Sequence, residues 1–498
     1  VIMSVLAFAL LFVAAMNYIL NSVSSLPIRA RSVGVHKCNG ASSKDIFNMF
    51  LFETAALFVV ALVCMALLLF AFREYVADMV AVPTLGTLLN AQTIWLPAIM
   101  ILAIFILSAL LPARLFSVIP VTQVFRVSTS GKQGWKRSLL FIQFGGIAFV
   151  ITLLVIVLLQ YDRLMNNDLG YDPENIVYAP LNNMDDQKAA KLTAEFKKLP
   201  YVTATGLSSM DILSGYGGFP ILDNEKNWLF TARQVNYDAD YLSLMKIPLL
   251  EGQPLKGDGD ILVNESFVSK RGWTDAAIGK YIYDDEGNLK GKIVGVTRDF
   301  MVNSFFTPQL PVIMFGSDRM SYCNFTVRVS ELTPEYLREM NDKIAELFPN
   351  EDVGFTVLKT IIESQYEGTR HFRDGVFVAS IAILLITLMG LLGYITDEMH
   401  RRSKEIAIRK VNGATAPNIL RLLSKDVLIT AFPAILLGVI ASRVVGESWL
   451  RQFADKIPLT VFIFISTALL VLAIIWGCVI LKSWNIANEN PVRSIKNE

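Results

Sequence analysis

Arg29 to Glu53 reads RARSVGVHKCNGASSKDIFNMFLFE and Arg402 to Asp426 reads RSKEIAIRKVNGATAPNILRLLSKD, so one stretch of this chain is written twice. At one constant offset Lys37 falls on Lys410, Asn39-Gly40-Ala41-Ser42 on Asn412-Gly413-Ala414-Thr415, Ile46 on Ile419 and Glu53 on Asp426. Both copies lie between long apolar segments. The pattern is that of a duplicated membrane protein whose halves each present the same basic elbow to the cytosol.

Each copy predicts a knuckle. A short helix, Arg31–Cys38 or Ser403–Val411, meets Asn-Gly, a pair suited to a left-handed helix cap. A second helix starts at Ser42 or Thr415. Ser42-x-x-Asp45 has the form of a capping box, and Pro417 sits in a first helical turn, where its missing N–H does no harm. That second helix continues into a membrane span, so the knuckle can transmit a push. Simple anchoring of Lys and Arg at lipid headgroups is the plainer use of such residues. Anchoring does not require the same Lys-x-Asn-Gly-Ala order in both halves, which favours docking to a cytosolic partner.

Working outward, seven segments approach or exceed the roughly 20 apolar residues that cross a bilayer as helix: Val1–Leu20, Phe47–Phe72, Ile94–Leu111, Leu139–Leu159, Gly375–Ile395, Val427–Val445 and Leu459–Leu481. The 53% apolar content and mean hydropathy of +0.47 agree. Lys and Arg collect in the first elbow (Arg29, Arg31, Lys37, Lys44), in 114–137 (Arg114, Arg126, Lys132, Lys136, Arg137) and in 397–425, which places all three in the cytoplasm. Arg73–Thr93 and Val444–Pro458 then go outside, and the carboxyl tail inside.

Net charge is +1, and the basic residues sort by membrane side, so no nucleic-acid surface is indicated. Cys38 lies in the first elbow, Cys64 and Cys478 in spans and Cys323 in the insert. They form neither a disulfide framework nor a metal site, and His36, His371 and His400 are equally scattered.

The second half has four spans and, between its first two, an insert from 162 to 373. The first half shows three, and Val1 aligns with Asp374, just after the insert. The expectation is that an equivalent helix and outer domain precede residue 1 in a longer protein. Both halves close on a Pro-Val pair and an amphipathic stub, Ile119–Arg126 and Asn490–Lys496.

The insert reads as mixed α/β. Strands are expected at 175–179, 202–206, 260–264, 292–297, 312–315, 325–329 and 355–358. Helices are expected at Lys188–Leu199 and Pro334–Phe348. Asp284–Asn288 is read as a hairpin turn, and Gly215–Pro220 as a loop.

Catalytic chemistry is not visible. Gly272–Tyr281 departs from a phosphate loop in spacing and places Tyr281 where a Ser or Thr holds magnesium. No nucleophile–base pairing can be argued, so the chain is read as no enzyme, with no cofactor and no metal. Asn17, Glu53, Thr54, Gln143 and Thr387 are the few polar intramembrane candidates for a secondary transporter. A sensor or regulator of a cell-envelope process, without transport, is the other reading.

Glu405–Thr415 resembles the cytosolic signature of the FtsX-like, MacB-type ABC transporter permeases, and Asn490-Pro491-Val492 resembles their carboxyl end. Asp168–Asp172, Met245–Gly252, Ile261–Glu265 and Ile293–Phe300 are similar to the family's periplasmic core domain. The first elbow departs at Gly34, His36 and Cys38.

The resemblance implies an α-helical polytopic inner-membrane protein with an α/β periplasmic domain inserted between spans. Its divisions would be 1–126 (first membrane domain, elbow 29–48), 127–161 (linker and fourth span), 162–373 (periplasmic core) and 374–498 (second membrane domain, elbow 401–420). It further implies a permease coupled to a separate ATP-hydrolysing subunit, in a homodimer or pseudo-symmetric pair, with efflux or extraction of a periplasmic or membrane-embedded substrate. A periplasmic or outer-membrane partner is compatible with that reading. The coupling residues would be Lys37, Asn39, Gly40, Glu405, Arg409, Lys410, Asn412 and Gly413, with Ile362–Arg373 as a helical stalk.

Overall fold

The computed structural model describes residues 2–24, 26–79, 86, 90, 94–117, 134–184, 186–213, 217–223, 225–273, 275–302, 306, 308–316, 322–349 and 352–487. Both closing stubs, Arg126, Lys132, Gly215 and Tyr216 lie outside the described residues. The chain divides into two compact units. One comprises 1–161, 368–451 and 457–498, the other 162–367 and 452–456.

The first unit is helical. Its elements are α1 (Ile2–Ser24), α2 (Leu26–Cys38), α3 (Ser43–Ala71), α4 (Arg73–Met79), α5 (Trp95–Ser117), α6 (Gly134–Asn166), α12 (Glu367–Arg401), α13 (Ser403–Val411), α14 (Ala416–Leu450) and α15 (Val461–Ala487). Among the described residues six helices are long and apolar enough to cross a membrane, in α3, α5, α6, α12, α14 and α15. The seventh expected span falls on α1, whose apolar stretch Ala7–Leu20 is shorter than those six.

Burial orders these helices. α6 is the most enclosed span and α3 the least. Small residues let α6 approach α14: a Cβ on Gly438 would collide with the Gly145 carbonyl, and one on Gly446 with Ile156. Close backbone approach through small residues is the ordinary way to pack helices in lipid. Thr152 of α6 donates to the Thr467 hydroxyl of α15 at 3.2 Å, and Gln160 accepts from the Ile457 amide at 3.0 Å.

The second unit is an eleven-stranded mixed sheet. Its elements are β1 (Ile176–Met184), α7 (Asp186–Phe196), β2 (Val202–Ser208), β3 (Gly217–Leu222), β4 (Trp228–Tyr237), α8 (Tyr241–Met245), β5 (Leu249–Gly252), β6 (Asp260–Asn264), α9 (Glu265–Arg271), β7 (Tyr281–Tyr283), β8 (Leu289–Thr297), β9 (Val312–Gly316), β10 (Tyr322–Val329), α10 (Pro334–Leu347), β11 (Thr356–Val357) and α11 (Leu358–Gln365). The order is β11-β1-β10-β2-β4-β9-β6-β8-β5, with β3 on β4 and β7 on β8.

Two cores result. β2 and β4 share a single register pair, Ser208 with Tyr237, so the sheet consists of two lobes joined at one point. Val177, Phe196, Phe325, Met340 and Ile344 fill one lobe beneath α7 and α10. Phe219, Phe230, Ile261, Phe267 and Ile313 fill the other beneath α9.

Gly215–Pro220 is corrected where it is described. From Gly217 the chain is strand β3, antiparallel to β4, with Pro220 opposite Thr231. β3 pairs on one side alone, where proline's missing N–H interrupts no ladder. The expected strand 355–358 is shorter than read, because α11 starts at Leu358. The stalk 362–373 is two helices, α11 and α12, separated at Tyr366.

Candidate docking site at the two elbows

The elbows repeat to the level of single hydrogen bonds. In the first, Asn39 N donates to Val35 O (3.0 Å), Gly40 N to Lys37 O (3.1 Å) and Ala41 N to His36 O (3.0 Å). In the second, Asn412 N donates to Ile408 O (3.0 Å), Gly413 N to Lys410 O (3.0 Å) and Ala414 N to Arg409 O (2.9 Å). The six bonds superpose position for position. Gly40 and Gly413 carry the left-handed turn at φ +94° and +87°, a region that costs any L side chain energy.

The exits start a helix at the same position by different means. Ser42 closes the capping box, its hydroxyl accepting from Asp45 N (3.3 Å) while its own amide donates to the Asp45 carboxylate (2.8 Å). Thr415 makes no side-chain cap, and Pro417 in the first turn lessens the need for one. In the first elbow Val33, Ile46 and Phe50 are buried with Ala113. The aligned Ile406, Ile419 and Leu423 are buried in the second.

The outer faces correspond too. Val35 is 57% exposed and its counterpart Ile408 62%. One turn on, Cys38 is exposed, as is Val411. Each knuckle therefore buries one aliphatic face and offers another to solvent. Exposed aliphatic side chains beside cations form a surface that gains by being covered.

The sequence-predicted residues divide into three roles. Asn39, Gly40, Asn412 and Gly413 form the turns. Glu405 and Arg409 pair at 2.6 Å along α13, an exposed link worth under about 1 kcal/mol. The first elbow has Ser32 and His36 at those positions and lacks the pair. Lys37 is drawn back to the helical bundle, where its ammonium donates to Ser117 O at the end of α5. Lys410 is half-buried at the corresponding position.

A charge cluster behind the second elbow is not evident from the sequence. Arg402 bridges Glu398 and Asp426, and Arg137 approaches Asp426 at 3.5 Å. Lys136 meets Asp397 at 2.7 Å. Glu398 is 4% exposed and pairs with Arg402. Together these pairs tie α6, α12 and α14 around Arg402, the residue that joins α12 to α13. The spacing of Glu398 and Arg402 was a legible signal, four residues apart on a helix.

The structure also assembles three of the polar intramembrane residues. Asn17 and Gln143 converge on Gly390 of α12, where a Cβ would meet both carboxamides, and Thr387 is buried one turn away. Thr54 instead bonds Tyr18 and the Phe50 carbonyl, and Glu53 is exposed. The convergent group contains no ionisable residue, and no His, Cys, Asp or Glu cluster suited to a metal occurs among the described residues.

Duplicated elbows, each joined to apolar spans, define a polytopic membrane protein built of two similar halves. The FtsX-like permease C-terminal family matches the chain twice, over residues 4–121 and 377–491. Both membrane halves are thus FtsX-like permease domains, in a multi-pass protein of the inner membrane with a periplasmic domain.

Two crystal structures are similar to the second unit. The periplasmic region of MacB from Actinobacillus actinomycetemcomitans is 13% identical, with 41% of this chain and 97% of that one covered and a TM-score of 0.31. The extracellular domain of the noncanonic ABC-type transporter YknZ from Gram-positive bacteria is 11% identical, with 37% and 99% covered and a TM-score of 0.27. No curated protein matches the chain.

Proposed function

We propose that this chain is the permease subunit of an ABC transporter whose two elbows dock onto a separate ATP-hydrolysing subunit and pass its movement to the periplasmic domain. The work done there is efflux or extraction of a periplasmic or membrane-embedded substrate. The observation that carries this reading is the position-for-position repetition of the elbow's turn, buried face and exposed face. Lipid anchoring selects for basic residues near a membrane surface and leaves the turn geometry free. A mechanical coupling needs the turn itself, because a stiff knuckle fused to α3 or α14 moves that span when pushed.

The two elbows then serve as a pseudo-symmetric pair of sockets for two copies of the ATPase. Within the sockets Asn39-Gly40 and Asn412-Gly413 set the shape, Glu405–Arg409 and Lys410 present charge, and Val35 and Ile408 supply apolar contact. Lys37 braces the first socket from behind.

The test is co-purification of the full chain with an ABC ATPase subunit co-expressed with it. Arg409→Glu combined with Lys410→Glu, and separately Ile408→Asp, are expected to abolish the complex while leaving the permease folded in the membrane. An intact complex with unaltered ATP hydrolysis in both variants would overturn the proposal.

A further inference from the structure

The hairpin of α14 and α15 carries an open groove of about 820 Å3. One wall is a single stripe of α14, in which Arg421, Lys425, Leu428 and Phe432 follow one another at helical spacing, and Trp476 of α15 stands opposite. Polarity changes along the stripe. At the cytosolic end Arg421 and Lys425 are exposed, and among the described residues neither forms an ion pair. Further into the span the lining becomes apolar, with Phe432 66% exposed.

Two like charges four residues apart on one helix face repel, so folding alone does not account for the pair. Asp426, the residue after Lys425, is already held by Arg402 and faced by Arg137. Lys425 lies just before the apolar run of α14, and an aromatic ring and aliphatic side chains continue the groove from there.

We infer that this groove holds one anionic phospholipid of the inner leaflet, its phosphate between Arg421 and Lys425 and an acyl chain against Leu428, Phe432 and Trp476. Arg and Lys are the natural donors to a phosphate group. The charge complementarity is local, and the apolar continuation excludes a freely soluble anion as the intended occupant. The groove's lining reaches Pro417 and Leu420 at the end of the second elbow and includes none of Glu405, Arg409, Lys410, Asn412 and Gly413, so the inference does not depend on the coupling role.

The experiment reconstitutes the full chain into nanodiscs of equal phosphatidylglycerol and phosphatidylcholine, and counts lipids retained after gentle extraction by native mass spectrometry. One phosphatidylglycerol is expected to be retained in preference to phosphatidylcholine. Each basic residue at a membrane surface contributes about fivefold, so Arg421→Ala with Lys425→Ala should lower that preference roughly 25-fold. Lys425→Arg should preserve it, and Lys482→Ala, outside the groove, should leave it unchanged. Equal retention of both lipids, an unaffected double variant or an equal loss with Lys482→Ala would sink the inference. Displacement by soluble glycerol phosphate would assign the site to a free anion, and disulfide-linked dimers of Ile429→Cys would assign it to a second copy of the chain; either result overturns it.

Discussion

The Lys37 ammonium donates to the Ser117 carbonyl across 2.8 Å, fastening the first elbow to the cytosolic end of α5. A cation on the last carbonyls of a helix satisfies an orphan acceptor and opposes the negative end of the helix dipole. Lys37→Met should therefore cost about 1 kcal/mol. Faster hydrogen exchange at the amides of Asn39 to Ala41 would report the loosened knuckle, and unchanged exchange would place the bracing elsewhere.

Gly40 and Gly413 are open on all sides, with nothing within 4 Å of an added Cβ. Substitution by Ala thus tests backbone conformation alone. Each change is expected to destabilise its elbow by about 1–2 kcal/mol through the left-handed φ, with Asn costing less. Coupled ATP hydrolysis in the assembled complex should fall with Ala and partly recover with Asn.

Removing Arg402 breaks its pairs with the 4% exposed Glu398 and with Asp426. Arg402→Met should lower stability by about 3–5 kcal/mol, read as thermal unfolding in detergent. Glu53, the counterpart of Asp426, is exposed, so Glu53→Gln should shift the unfolding temperature less than Asp426→Asn.

Gly438 and Gly477 separate packing from propensity. A Cβ on Gly438 strikes the Gly145 backbone, whereas one on Gly477 meets nothing within 4 Å. Gly438→Ala should loosen α6 from α14 and destabilise the protein, while Gly477→Ala should be neutral or gain up to about 1 kcal/mol from helix propensity. Comparable unfolding temperatures for the two variants would contradict this packing.

In the periplasmic unit, burial raises the Asp238 carboxyl from 3.8 to about 6, against the opposing hydrogen bond from the Leu207 amide. A folded pKa above the unfolded one favours the native state while the group is protonated. That contribution is complete below about pH 4 and lost as pH rises through about 6, up to about 3 kcal/mol in all. Asp238→Asn should flatten the pH dependence of hydrogen exchange in β2 and β4 between pH 4 and 7. A parallel profile for wild type and variant would rule out Asp238 as the source.

The elbows and apolar helices were legible because periodicity and caps act locally. Asn-Gly followed by Ser-x-x-Asp fixes a turn and a helix start with little help from tertiary structure, and both occur where expected. β4 was not legible. Its Arg233 and Gln234 break the apolar alternation, yet Arg233 is buried and donates to the Val302 and Asp211 carbonyls. β3 was hidden for a related reason, since Gly217, Gly218 and Pro220 read as punctuation until β4 is present to pair with them. At the candidate site, the turn residues could be read directly. Lys37's contact with Ser117 and Asp426's with Arg402 join residues far apart in the chain, which no local spacing reveals.

The thiol of Cys38 stands where the second knuckle has the Val411 isopropyl group, and both positions face solvent. The two sockets are therefore alike in shape and unlike in chemistry. A maleimide dye or spin label directed to Cys38, in a chain whose exposed Cys64 is replaced by Ser, would mark one foothold and leave its twin dark, so the two halves of a repeated frame can be told apart.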